Sequence, residues 1–158
     1  MNGPGRNAQA SILDRLIDLD PDVSRESVPF RLQDIRQVKA SVVRDLENLL
    51  NTKRPIAEPP GALRHLRDSV WVYGLRDFTA DNPKAPAVRQ QLRREIERTI
   101  SRFEPRLRSV GVQLDAESEK ERTLRFRISG MLIVEPLSEP VTFDTVLDVH
   151  RAQFKVTG

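Results

Sequence analysis

The side chains best placed to do chemistry are three glutamates, Glu95, Glu97 and Glu104, in a stretch that also holds Arg94, Arg98 and Arg102. Two carboxylates at a suitable separation can serve as acid and base on a glycosidic bond. The acid of such a pair needs an apolar, partly buried pocket to keep its proton. Glu95 and Glu97 instead have arginine neighbours in the sequence, which favour the ionised form, so glycosidase chemistry is disfavoured. The two histidines, His65 and His150, stand far apart, and neither has the local spacing of a metal ligand. The absence of cysteine removes thiolate nucleophiles, cysteine metal sites and disulfides. There is no strained glycine-serine-glycine nucleophile turn. Nor is there a glycine-rich loop with a lysine to cradle phosphates. No cofactor and no metal are expected, and the chain reads as a non-enzyme.

Three features suit binding better than catalysis, and each has a plainer alternative. Arg94, Arg98 and Arg102 recur four apart, so they share one helix face. That face is either solvated and laced with weak ion pairs, or offered to an acidic protein or a phosphate backbone. Glu104-Pro105-Arg106 follows at once. It is either a helix stop with a local ion pair, or a rigid corner whose arginine presents a planar donor fork to a partner. Near the C-terminus, Phe154 and Val156 mark a short last strand. Its edge is either open to strand addition from another chain or guarded by Arg151 and Lys155.

Hydrophobic periodicity locates the elements that carry these residues. A first helix is expected over about residues 11–18, capped by Ser11, with Ile12, Leu13, Leu16 and Ile17 on one face. A second is expected over about residues 34–51, with Ile35, Val38, Val42, Leu46 and Leu49 as its stripe. Pro55, Pro59, Pro60 and Gly61 mark a loop, and residues 63–78 read as either a short helix or a strand ending at Gly74. The third and longest helix is expected over about residues 86–103, with Pro86 in its first turn and Val88, Leu92, Ile96, Ile100 and Phe103 facing inward. Beyond Pro105 the period drops from 3.6 to 2. Val110, Val112 and Leu114 alternate with polar residues, as do Leu124, Phe126 and Ile128, and then Val141, Phe143, Thr145, Leu147 and Val149. Gly130, followed by the apolar run Met131 to Val134, suggests a bulge and burial on both faces. Helices followed by consecutive strands indicate α+β, with three main helices packed on one face of a small, largely antiparallel sheet of about four strands.

The 158 residues fit one domain. We expect residues 1–10 to be a flexible tail and residues 11–158 a single domain. Residues 1–10 are polar and lack an apolar signal-peptide core, and no apolar run approaches the roughly 18 residues that span a bilayer. A cytoplasmic location is expected. The net charge of +3 comes from 26 basic and 23 acidic residues mixed along the chain. A nucleic-acid binder would show a denser basic block with interleaved aromatics, and aromatics are only 5% here.

Several stretches, taken in order, resemble a known family. They are residues 11–16 (SILDRL), 42–52 (VVRDLENLLNT), 73–75 (YGL), 103–107 (FEPRL), 124–130 (LRFRISG), 134–137 (VEPL) and 141–148 (VTFDTVLD). The series is similar to the TssE family of type VI secretion baseplate subunits, within the lysozyme-like (GPW-type) baseplate-wedge family of contractile tails. The resemblance runs over about residues 11–156. It implies a compact α+β domain, whose lysozyme-like label does not imply activity in secretion members. It also implies docking on the wedge proteins TssF, TssG and TssK, and templating of a contractile sheath of TssB and TssC, in the cytoplasm near the inner membrane. The family's Glu-Pro-Arg signature falls on Glu104, Pro105 and Arg106. Two departures are Arg76, where many relatives carry proline, and residues 150–153, where a glycine turn is more usual. The partner-binding residues are expected to be Glu104, Pro105, Arg106, Arg102, Tyr73, Phe154 and Val156. The rival functions are a peptidoglycan-cleaving enzyme and a basic nucleic-acid-binding module.

Overall fold

The structure, a computed structural model, describes residues 8–9, 32–33, 35–57, 60–63, 65–66, 69–82, 85–115, 123–134 and 137–158. Helix α1 (Ile35–Asn51) forms where the apolar stripe predicts it, and it buries Val38, Val42, Leu46, Leu49 and Leu50. Helix α2 (Pro86–Phe103) opens on Pro86, whose missing N–H is one of the helix's unbonded donors in any case. It buries Leu92, Ile96, Thr99 and Ile100. A two-residue pair, β1 (Ala8–Gln9) with β2 (Leu32–Gln33), precedes α1, so Ala8 and Gln9 of the expected tail take part in strand pairing.

The main sheet has four antiparallel strands in sequence order: β3 (Leu107–Leu114), β4 (Thr123–Val134), β5 (Leu137–Asp148) and β6 (Gln153–Thr157). Its covered face carries Leu124, Phe126, Ile128 and Leu132 from β4, Val141, Phe143, Thr145 and Leu147 from β5, and Phe154 and Val156 from β6. Every second residue turns inward, which is the period of a half-buried strand.

Two expectations are corrected here. Two helices, not three, cover the sheet among the described residues; the segment expected as the first helix, residues 11–18, lies outside them. Among the described residues, α1 packs on β6 and α2 on β3, one above each edge. Four strands spaced about 4.8 Å apart measure roughly 14 Å between outer axes, and two helices of about 10 Å diameter span that width. The α+β class and the four-stranded sheet stand as expected.

The second correction concerns the bulge. β4 runs unbroken through Gly130 and keeps its alternation, so Leu132 is buried and Ile133 is exposed. The bulge sits opposite, in β3. Arg108 pairs with Met131 and Gly111 with Ser129, so Ser109 and Val110 face Gly130 alone, and Ser109 takes a φ of 52°. The extra residue reverses the parity of β3, so Leu107 and Val112, an odd number apart, both reach the core. A Cβ on Gly130 would lie 3.2 Å from the carbonyl oxygen of Arg108. The glycine signal was real, but it marks the partner of the bulge.

The ambiguous residues 63–78 hold a short 3₁₀ turn, Val70–Val72, followed by Gly74 at φ 96°. Leu75 N donates to Thr52 O (2.9 Å) and Arg54 N to Leu75 O (2.9 Å), tying this segment to the end of α1. A Cβ at position 74 would stand 2.2 Å from Thr52 O, so both the angle and the close approach require glycine.

Candidate assembly surfaces

At the corner after α2, Pro105 excludes helical geometry for the residue before it, and Glu104 ends the helix at φ −114°, ψ 84°. Its side chain turns inward and is only 4% exposed. Arg106 closes back on it: Nε donates to Glu104 Oε1 (2.7 Å), and Nη2 to Oε2. The same guanidinium reaches α1, where Nη2 donates to Asp45 Oδ2 (2.6 Å) and Nη1 to Ser41 Oγ (2.8 Å). Arg44 holds the other Asp45 oxygen at 3.0 Å. Two carboxylates and two guanidiniums thus form a neutral cluster. Burial pulls the Arg106 pKa down, but the hydrogen bond and charge of Glu104, then those of Asp45, outweigh it and hold it above the ordinary arginine value. Arg106 O accepts from Ile133 N (2.8 Å), so one residue joins α2, α1 and the sheet.

Tyr73 lies beside this latch. Its ring meets Phe103 edge-on at 5.2 Å. Burial, then the negative charges of Asp45 and Glu104, push its phenol pKa up. Pro105 and Arg102 are exposed. The structure therefore brings Glu104, Arg106 and Tyr73 together, with Pro105 on the outside of the same corner. The corner's fork is spent inward, on Glu104, Asp45 and Ser41. The other carboxylates weighed for acid–base work also meet guanidiniums: Glu95 is 2.8 Å from Arg54, and Glu97 is 3.0 Å from Arg93.

Phe154 and Val156 lie elsewhere, on β6, with their side chains in the core and their outward main-chain groups at the sheet edge. That edge is occupied from above. Phe154 N donates to Asn51 Oδ1 (2.8 Å), Asn51 Nδ2 donates to Phe154 O (2.9 Å), and Val156 N donates to Glu47 Oε2 (3.1 Å). Arg151 instead lies beside Asp148, at 4.0 Å. The opposite edge is closed in the same way. Val112 N donates to Glu97 Oε2 (3.3 Å), and Arg93 Nη1 donates to Val112 O (3.2 Å). Each helix thus lowers one i,i+4 polar pair, Glu47/Asn51 or Arg93/Glu97, onto the strand beneath it, satisfying main-chain groups that would otherwise invite pairing.

Ser41, Asp45, Glu47, Asn51 and Arg93 were not singled out from the sequence. The available signal was their spacing: Ser41/Asp45, Glu47/Asn51 and Arg93/Glu97 each lie four apart beside an apolar stripe, where one polar face meets whatever packs next to the helix. Among the described residues, no group of three or more His, Cys, Asp or Glu side chains could hold a metal, and no helix is long and apolar enough to cross a membrane.

Comparison with known proteins gives one family. Residues 36–137 match the family described as baseplate wedge protein gp25. The fold is similar to a chain of the solved structure described as "The baseplate complex from the type VI secretion system", at 22% identity and a TM-score of 0.49, over 70% of this chain and 94% of that one. No curated protein matches the sequence.

Proposed function

The chain belongs to the baseplate wedge protein gp25 family, and on that premise we propose that it is a non-catalytic assembly subunit of a type VI secretion baseplate. It docks on the wedge proteins TssF, TssG and TssK in the cytoplasm, beside the inner membrane, and templates a sheath of TssB and TssC. The observation that carries this reading is the extent of the family match. It runs through α1, α2 and the Glu104-Pro105-Arg106 corner to the first residue of β5. The ion-pair geometry of the corner supports an architectural role, because both oxygens of Glu104 are bonded to Arg106.

Each expected binding residue takes a definite part in this proposal. Pro105 and Arg102 are exposed contacts. Glu104, Arg106 and Tyr73 set the shape of the corner. Phe154 and Val156 anchor β6, whose main chain accepts a strand of a sheath subunit when Asn51 and Glu47 let go. The exchange replaces three side-chain bonds with a main-chain ladder, so an incoming strand meets a modest barrier and a stray one gains little.

The test is co-expression of the full chain with TssF and TssG, followed by addition of TssB and TssC. Co-elution with the wedge proteins and seeded sheath growth are expected. Failure of the folded chain to bind TssF and TssG refutes the reading. So does titratable lysis of peptidoglycan by the pure protein that is lost in Glu104→Gln.

A further inference from the structure

Large apolar side chains that stand exposed are unevenly distributed. Of the five among the described residues, Ile56 (97%), Val70 (86%), Leu63 (52%) and Trp71 (46%) lie in one connector, and only Ile133 is on the sheet. Isolated exposed apolar residues are ordinary, whereas a cluster marks a contact surface. Two of the four, Ile56 and Trp71, line a groove between residues 54–57 and the 3₁₀ turn Val70–Val72, with Pro55 and Val72 beside them.

The groove is held in shape before anything binds. Ser69 Oγ accepts from Trp71 N (3.2 Å) and donates to Leu66 O (2.9 Å), which fixes the turn. Trp71 Nε1 donates to Ala57 O (3.2 Å), which fixes the indole against the opposite wall while part of its ring stays open to solvent. An aromatic anchor already immobilised loses little rotamer freedom on binding.

Charge selects the occupant. Three guanidiniums, of Arg54, Arg76 and Arg102, and one carboxylate, of Asp77, line the groove. Asp77 is held by Lys53 at 3.1 Å. The carboxylates that steady Arg54 and Arg76, namely Glu95 at 2.8 Å and Asp81 at 2.9 Å, are not part of the lining. A guanidinium offers five N–H donors in a planar fork, so pairing along one edge leaves others for a second acceptor. Tryptophan and arginine together are the residue types that dominate protein–protein contacts.

We infer that this groove receives an acidic segment of a partner protein bearing an aliphatic or aromatic side chain, which seats against Ile56 and Trp71 while its carboxylates meet the arginines. The inference rests on the assembly role only in expecting a protein as partner. It names a surface distinct from the β6 edge.

Trp71 is the only tryptophan in the chain, so its fluorescence reports on the groove directly. The probe is a short peptide of aspartate and glutamate around leucine and phenylalanine. The control is the same peptide with lysine at every acidic position. The acidic peptide is expected to shift Trp71 emission to shorter wavelength and to reduce its quenching by acrylamide. Affinity should fall as salt shortens the screening length from about 30 Å toward 8 Å. Ile56→Asp, at a site too exposed to disturb folding, should weaken binding about tenfold or more.

Equal binding of the basic control, binding unchanged by Ile56→Asp, or no response to the acidic peptide overturns the proposal. So does a Trp71 already shielded in the free chain, since the chain then fills its own groove. Self-association abolished by Ile56→Asp overturns it in favour of a second copy. No secretion protein is present in this assay, so its failure leaves the baseplate role standing. Loss of TssF and TssG binding with peptide binding intact would defeat that role alone.

Discussion

Arg106→Ala tests whether the corner is an internal latch. The substitution strips Glu104, 4% exposed, of both guanidinium bonds from Arg106, leaving it the main-chain N–H of residue 106 at 3.2 Å. It also removes the Nη1 bond to Ser41 (2.8 Å) and the Nη2 bond to Asp45 (2.6 Å). Asp45 keeps Arg44, but the Glu104 carboxylate is left buried without its counter-charge. Removing one partner of a buried ion pair costs about 3–5 kcal/mol, because the survivor's desolvation is no longer offset. For a chain of this length each kcal/mol lowers the melting temperature by about 2–4 °C, so a drop of roughly 6–20 °C is expected in calorimetry. Urea denaturation should give the same loss with an unchanged slope. Arg106→Lys restores the charge without the fork and should recover part of the loss. The double change Glu104→Leu with Arg106→Met, which removes both charges and keeps the volume, should lie close to the parent. Arg106→Ala within about 1 kcal/mol of the parent would refute the latch, since that is the worth of an exposed pair.

Four other outcomes follow. Asn51→Ala should cost about 1–3 kcal/mol by leaving the Phe154 N–H and C=O unbonded; hydrogen exchange should quicken at the Phe154 amide, and sedimentation should reveal edge-to-edge association. Gly74→Ala should destabilise by about 2 kcal/mol or more, through the φ of 96° and a Cβ 2.2 Å from Thr52 O. Ala152→Gly should stabilise by up to about 1 kcal/mol by relieving a φ of 49°; chemical denaturation measures both. Asp77 is held at about 2, below its ordinary 3.8, first by the Thr79 main-chain N–H, then by the Thr79 hydroxyl and Lys53. A depressed carboxylate stabilises the fold above its unfolded pKa, so this contribution is complete above 3.8 and lost as pH falls through about 2. Asp77→Asn should therefore flatten the stability profile between those values, and a titration of the carboxyl carbon by NMR should locate the midpoint directly.

The sequence by itself determined the elements whose information is local. The stripe from Ile35 to Leu49 and the one from Val88 to Phe103 each specify a helix, because one apolar face at a 3.6-residue period is compatible with little else. Pro105 fixed the end of α2 through its own ring, and the change to period 2 announced the strands. The α+β class followed from the same local rules, whereas the Glu104–Arg106 pairing was one of the readings those rules left open. The two helices over the sheet among the described residues did not follow from them, since that cover depends on how much sheet width each helix spans. Only the tertiary structure decided that Gly130 serves a bulge in the neighbouring strand, because bulges belong to pairs of strands. Only it decided that the corner's arginine spends its donors on Ser41 and Asp45, some sixty residues away, and that Asn51, Glu47, Arg93 and Glu97 seal the sheet edges. Such contacts depend on which helix lies above which strand, and no window of sequence contains that relation.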